Sequence, residues 1–566
     1  MNDNAKWFSP HDPKRRIGSL IDVSATEAKI NLTKAGSGEQ SWLMGSRVSV
    51  GEVNEFVFIE CGEYTILARV VKVWLESGER LSVDQLDDQL PENNPIGLVQ
   101  LLVSLDVQNG KNYRGIKQYP RLGVQVYAAH PQLVALIAEG SLHLEGKLQL
   151  PIASMPHDET VTVSVTPENL FARHCAILGS TGGGKSYTMA TLLENVERLG
   201  GKALLIDATG EYKNLPCDSY YVGNNNVSRD KQTTYPHWLF TDSDIRALLR
   251  PAGQTQAPKL DAAIKSLKVI IHQGRSDILV KANQEKELIE RDLLAVESQE
   301  LQGKVCKWSF KLLGEQIEEE CVWPSADYGK DITKWGDKHI GEFGHCLSLI
   351  SRIEAMASNK HLDWMLDCDD ELTMIPNLLE DFLSENDQSI LRLDLSAVPF
   401  EAHARELLVN AIGRKLLTLA REGNISHDKP LLVFIDEAHQ FLNKTIGEEH
   451  NAFNLDAFGN IAKEGRKYGL NVVIATQRPR DIPEDVLSQI GTLIVHRLTN
   501  ERDQEVVKRS VGAIDYRSAS FLPALGQGEA LLLGVDFPFP MTVQIKMPNI
   551  KPESCSAIFS GVWGRI

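Results

Sequence analysis

The sequence predicts an α/β fold: a parallel-sheet core, preceded by a small all-β domain and interrupted by a mostly helical insertion. Three observations point there. From Leu170 onward, apolar runs of strand length alternate with helix-patterned segments, as βαβ units require. Before Leu170, β-branched and aromatic runs are punctuated by turn pairs. Over residues 241–385 the alternation stops and gives way to a segment rich in Lys, Glu, Leu and Gln. With 566 residues the chain is too long for one hydrophobic core, so separate domains are expected.

In the N-terminal domain, "VNEFVFIE", "EYTILARVVKVW" and "PRLGVQVYAA" read as strands of a barrel or sandwich, with Cys61-Gly62 and Asn109-Gly110 as turns. Pro151 and Pro156 mark its end, giving a domain over 1–155. "HCAILG" is a short buried strand, and the helix after it carries Met189, Leu192, Leu193, Val196 and Leu199 on one face. "KALLID" is the next strand, so 156–240 forms the first part of the core. The insertion holds Trp308, Trp323, Trp335 and Trp364 among lysines. Such interleaving is compatible with base stacking, but anchoring of a helical bundle is the favoured reading. The core resumes over 386–566 with "ILRLDLS", the amphipathic "EAHARELLVNAIGRKLL", and the strands "LLVFI", "NVVIATQ" and "TLIVHRL". A β-hairpin from "GEALLLG" to "TVQIKMP" closes it.

Composition narrows the classes. Apolar residues make up 42% and charged residues 24%, which suits a globular chain. A formal net charge of −17 argues against a protein whose whole surface coats nucleic acid, and confines any such contact to a local basic lining. None of the eight cysteines falls in a Cys-x-x-Cys pair, which argues against zinc ribbons and thioredoxin-type motifs. Scattered cysteines and a start without the apolar core of a secretion signal lead to an expectation of reduced thiols in the cytoplasm. No apolar run approaches the ~20 residues that span a bilayer, so no membrane association is expected.

The chemistry begins at "GSTGGGKSY". Gly179, Ser180, Thr181, Gly182, Gly183, Gly184, Lys185, Ser186 and Tyr187 form a phosphate-binding loop between a strand and a helix. Its glycines let backbone N–H groups turn inward around phosphates, and the helix N-terminus adds partial positive charge. Lys185 would reach the β/γ-phosphates of ATP, and the Ser186 hydroxyl would ligate Mg²⁺. In "LLVFIDEAHQ", a run of buried-type residues leads into Asp436, a second Mg²⁺ candidate, and Glu437, placed to activate water. Gln477 ends the strand of "VVIATQRPRD", where its amide would sense the γ-phosphate or the attacking water. Arg466, in "IAKEGRKYGLN", is the candidate for a finger reaching a neighbouring subunit's nucleotide, with Arg478, Arg480 and Arg173 as competitors. Asp207 and Glu211, in "LLIDATGEYKN", are accessory candidates, with a carboxylate-capped turn nearly as well supported. Lys444, in "FLNKTIGEEHNAF", is a candidate DNA-channel residue, and an ordinary exposed lysine is an equal alternative.

Taken in order, "GSTGGGKS", "LLIDATGEY", "LLVFIDEAHQFL", "IAKEGRKYGLNVVIATQRPRDIPEDVLSQIGT" and "HRLTNERDQEVVKR" resemble the HerA-type ATPases of the HerA–FtsK superfamily, and "RRIGSLIDVSATEAKINL" is similar to that family's N-terminal β-barrel. The resemblance covers nearly the whole chain outside the insertion. It implies a RecA-like P-loop core with an N-terminal β-barrel, assembled as a homo-hexameric ring with ATP between subunits. It further implies translocation on double-stranded DNA together with an effector, a nuclease or sirtuin-like protein, expected to dock at the barrel. One departure stands out: where relatives often carry Pro-His before Gly-Glu-Tyr, this chain has Ala208-Thr209.

The expected function is therefore an ATP-driven DNA translocase or helicase-like motor in DNA processing or anti-phage defence. The alternative is a ring scaffold that assembles and gates an effector without sustained translocation. A metabolic phosphotransferase fits less well, because it has little need of Gln477 or a trans-acting arginine.

Overall fold

The computed structural model describes residues 9–32, 41–43, 46–48, 51–75, 95–140, 148–223, 226–301, 305–385, 387–442, 444–446, 452–510 and 517–553. The chain divides into two compact units, Met1–Gly200 with Asn471–Pro552, and Gly201–Leu470 with Glu553–Ile566.

The first unit contains a closed antiparallel barrel of six strands. Arg16–Val23 pairs with Glu27–Leu32 and with Gln125–Ala128, and the latter pairs with Phe56–Cys61. Tyr64–Trp74 and Ile96–Asp106 follow, and Ile96–Asp106 closes the ring on Glu27–Leu32. Alternation drives closure: in Glu27–Leu32 it is Ala28, Ile30 and Leu32 that are buried, and they meet Ile17, Val57, Ile66, Val99 and Val126 inside. Arg69, wholly buried, ties the barrel to the rest of the unit. Its guanidinium bonds Gln100 and Ser518 and lies 4.9 Å over the Phe521 ring.

The core sheet of this unit runs Asp158–Val165, Leu150–Met155, Met541–Ile545, Glu529–Gly534, Thr492–His496, Cys175–Leu178, Leu470–Thr476. The last three strands are mutually parallel. Leu150–Met155 corrects the expected boundary at residue 155, because it pairs with Met541–Ile545 instead of joining the barrel. A closed barrel has no free edge to accept another strand, whereas the C-terminal hairpin presents one.

The second unit is a parallel sheet ordered Leu431–Ile435, Lys202–Asp207, Ile390–Asp394, Asp218–Val222, Gln232–Thr234, Thr373–Met374. The last two strands flank the insertion, which is mostly helical. Its helices include Gln256–His272, Lys286–Leu301, Leu313–Glu320 and Ile340–Ala357. Trp308 and Trp364 are buried, as bundle anchors are, while Trp323 is half-exposed, its ring tilted against that of His339 with centroids 3.9 Å apart. At the centre of the insertion Lys281 donates to Glu320 at 2.5 Å, and Ser266 and Gln316 donate to the other carboxylate oxygen at 2.6 and 3.1 Å. The seven described cysteines are all free thiols; Cys555 lies outside the described residues. Among the described residues no helix is long and apolar enough to cross a membrane.

Candidate functional site

The phosphate loop joins strand Cys175–Leu178, fully buried between two parallel neighbours, to helix Lys185–Arg198. Gly184 caps that helix at φ 122°, a conformation an L side chain would strain. Gly183 N–H donates to the Ser180 carbonyl at 3.1 Å, which closes the loop. The Lys185 ammonium, 7% exposed, donates to the same carbonyl at 3.2 Å. Ser186 and Tyr187 follow on the first helical turn, both half-buried. Gln477, at the end of the neighbouring strand, accepts a hydrogen bond from the Thr181 hydroxyl at 2.5 Å. Two residues 296 apart in sequence are thereby wired together at the loop.

In the second unit, carboxylates converge beyond the ends of two adjacent strands. Asp436 follows Leu431–Ile435, is 5% exposed, and accepts from Thr209 Oγ1 at 3.2 Å. Burial pushes its carboxyl up to about 7, helped by the charges of Glu437, Asp207 and Glu211. Glu437 sits at φ 47°, ψ 44°, a left-handed backbone position, and its carboxylate lies 3.2 Å from His439 Nδ1. Glu211 Oε2 is buried without a hydrogen-bond partner. Asp207 differs from these three. Its oxygens accept from the backbone N–H groups of Thr209, Gly210 and Tyr212 and from Arg392, which is itself wholly buried and also paired with Asp394. Asp207 thus holds the turn that carries Glu211, and its carboxylate is already occupied.

Hard carboxylate oxygens with a like-charge cluster and an orphaned Oε2 fit Mg²⁺ in donor chemistry. Among the described residues, no group of three or more His, Cys, Asp or Glu is placed to hold a metal alone.

Of the basic candidates, Arg466 and Lys467 are exposed on the tight turn Gly465–Tyr468. The turn needs glycine at both ends: a Cβ on Gly465 would meet the Leu470 carbonyl at 2.5 Å, and one on Gly469 the Ser426 carbonyl at 2.3 Å. Pressed against backbone on its inner side, the turn pushes its cations outward. Arg173 instead pairs with Asp536 at 3.4 Å, and Arg478 and Arg480 lie 3.8 and 3.7 Å from Asp481. Lys444 starts the short strand Lys444–Ile446, which pairs with Phe453–Leu455; its side chain lies outside what the structure describes.

Comparison with known proteins decides the family. The model of the HerA helicase central domain matches residues 150–416, and that of the HerA-like helicase C-terminal domain matches 409–554. The chain belongs to the HerA family. It is 24% identical over 478 residues to the DNA double-strand break repair helicase HerA of Pyrococcus furiosus, covering 82% of this chain and 80% of that protein. The corresponding helicase of Saccharolobus solfataricus is 24% identical, with 70% and 69% covered. Among solved structures, the plasmid coupling protein TrwB with a non-hydrolysable ATP analogue is similar at TM-score 0.43 and 14% identity, covering 69% of this chain and 89% of that one. VirB4 of Thermoanaerobacter pseudethanolicus is similar at TM-score 0.41 and 13% identity, over 72% and 98%. This HerA-family chain is an ATP-hydrolysing enzyme whose P-loop lies between a buried parallel strand and a helix.

Sequence reading missed three residues of these clusters. Arg392 neutralises Asp207, His439 lies against Glu437, and His496 lies beneath the phosphate loop. "DEAHQ" contained a signal for His439, two positions after the glutamate. Arg392 and His496 sit inside apolar strand runs, where a polar residue pointing at a distant partner has no periodic signature.

Proposed function

We propose that the chain is an ATP-driven translocase on double-stranded DNA, working as a homo-hexameric ring with an effector protein, a nuclease or sirtuin-like enzyme, docked at the barrel. Anti-phage defence or DNA processing is the setting we infer. The observation that carries the motor reading is the Thr181–Gln477 hydrogen bond. A strand-end amide tied to the phosphate loop feels the presence or loss of the γ-phosphate and passes it to its own strand, a device a motor needs and a kinase does not. The similar proteins of Pyrococcus furiosus and Saccharolobus solfataricus, DNA double-strand break repair helicases, support the same reading.

In this mechanism Lys185 leaves the Ser180 carbonyl to take the β/γ-phosphates, and loop N–H groups hold their oxygens. Ser186 and Asp436 would hold Mg²⁺, which when bound neutralises developing charge on the phosphates. Glu437 orients the attacking water and accepts its proton, with His439 fixing the carboxylate. Arg466, exposed and without a side-chain partner among the described residues, is the cation we assign to the neighbouring subunit's nucleotide. DNA would be held through its phosphates, so affinity should fall steeply with salt and show little sequence preference.

The test is ATP turnover with and without linear double-stranded DNA. Stimulation of several-fold or more is expected, lost in Lys185→Ala and Glu437→Gln. Turnover indifferent to DNA would favour the ring scaffold that gates an effector.

A further inference from the structure

We propose that His496 is a positioning residue for the phosphate loop, acting as the floor on which the loop and the first turn of its helix are set. The inference rests on the reading of that loop as the ATP site and adds a residue to it.

The contacts are close and specific. A Cβ on Gly179 would lie 2.6 Å from His496 Cβ, and one on Gly183 would lie 3.4 Å from the same atom. A Cβ on Gly184 would lie 2.9 Å from Cε1 and 3.1 Å from Nδ1. Three of the loop's glycines are therefore in contact distance of one side chain, so close approach joins backbone freedom as a reason for them. The imidazole is fully buried and bonded on both nitrogens, to the Glu529 carbonyl at 2.8 Å through Nδ1 and to Thr188 Oγ1 at 2.7 Å through Nε2. A carbonyl only accepts, so in the neutral ring Nδ1 carries the proton and Nε2, at the shorter distance, takes the Thr188 hydroxyl proton in preference to the Gly184 carbonyl, which lies 3.1 Å from the same hydroxyl. Thr188 is on the first turn of the helix whose N-terminus faces phosphate. The ring thus fixes the loop from below and the helix from the side, and anchors both to strand Glu529–Gly534. Burial and the nearby Lys185 charge keep it neutral, which preserves Nε2 as the acceptor. Adjacent backbone completes the seat: Ser180 N–H donates to the Arg497 carbonyl at 3.0 Å, and Gly528 N–H to the Gly183 carbonyl at 3.3 Å.

Asparagine and glutamine divide the two functions of the ring. His496→Gln can present an acceptor near the Nε2 position and keep the Thr188 bond; His496→Asn can replace only the Nδ1 donor. Steady-state hydrolysis by the full-length protein should give a KM for ATP raised about tenfold in His496→Asn, with kcat within about threefold of the parent. His496→Gln should stay within about threefold in KM. Thr188→Val should reproduce the Asn variant, and combining the two should add nothing, as expected for two ends of one bond. Equal KM changes in the Asn and Gln variants, or additive effects with Thr188→Val, would overturn the proposal, as would a KM unchanged in all of them. If the His496 variants do not fold, Thr188→Val alone decides: an unchanged KM rejects the proposal. Lys185→Ala separates this failure from that of the parent reading, since turnover surviving its loss would remove the ATP site itself.

Discussion

At Asp436 the protein has placed a carboxyl where ionisation is unfavourable in the absence of a cation. Its carboxyl is pushed up to about 7 by burial and by three neighbouring carboxylates, against an ordinary value of 3.8. The folded state therefore holds this proton more tightly than the unfolded chain does. The resulting destabilisation is absent below pH 4, develops between pH 4 and 7, and is complete above it, where it amounts to about 4 kcal/mol. Asp436→Asn should consequently raise the thermal midpoint of the nucleotide-free protein by several degrees at pH 8 and by little at pH 4, while abolishing hydrolysis. Scanning calorimetry at the two pH values checks this; equal shifts at both would show that the carboxyl is not strained as described. Glu437 carries a second local cost, its left-handed backbone, at the position we assign to the attacking water. At this scale the motif was legible, since a strand followed by Asp-Glu is a local pattern. The carboxylate-capped turn at Asp207 was legible as one of two readings, but its partner Arg392 was not, because it lies 185 residues away in the chain.

At the scale of elements, the helical insertion contains a buried ion pair. Lys281 and Glu320 are 7% and 4% exposed, and Ser266 and Gln316 satisfy the carboxylate's second oxygen. Removing one partner leaves an uncompensated charge in a dry site, at about 3–5 kcal/mol. Lys281→Met should therefore destabilise the insertion strongly, and the double change Lys281→Met with Glu320→Leu should recover much of the loss. Hydrogen exchange of helices Gln256–His272 and Leu313–Glu320 reads the effect directly. Loss confined to the single variant fits a desolvated pair; equal loss in both variants would mean that the hydrogen-bond network matters more than the charges. Helices and strands of the core were readable from periodicity, as with Met189, Leu192, Leu193 and Val196, which are all buried on the helix that follows the loop. The barrel's end was misread because an apolar strand such as Leu150–Met155 carries no mark of which sheet it joins.

At the scale of the whole molecule, a net charge of −17 leaves long-range attraction to DNA unfavourable outside a basic lining. DNA binding should accordingly be lost over a modest rise in salt, measured as the slope of log affinity against log salt. A slope near zero would speak against phosphate contacts. If Arg466 completes a neighbour's site, titrating Arg466→Ala chains into the parent protein should depress turnover by more than their share of the mixture. Simple linear dilution would assign Arg466 to the solvated surface of its own turn. Arg478 and Arg480, each close to Asp481, serve as comparison substitutions in the same mixing experiment.

The sequence by itself determined the local chemistry: a glycine loop between strand and helix, an Asp-Glu pair closing a buried strand, and the family these motifs spell. Each depends on neighbours within about ten residues, where backbone geometry follows directly from residue type. Only the tertiary structure decided which groups share an environment. It set Gln477 on Thr181, Arg392 on Asp207 and His496 beneath the loop, pairings 185 to 308 residues apart. The physical reason is that a buried hydrogen bond or a close packing contact is a property of two surfaces, and one strand's sequence encodes only its own.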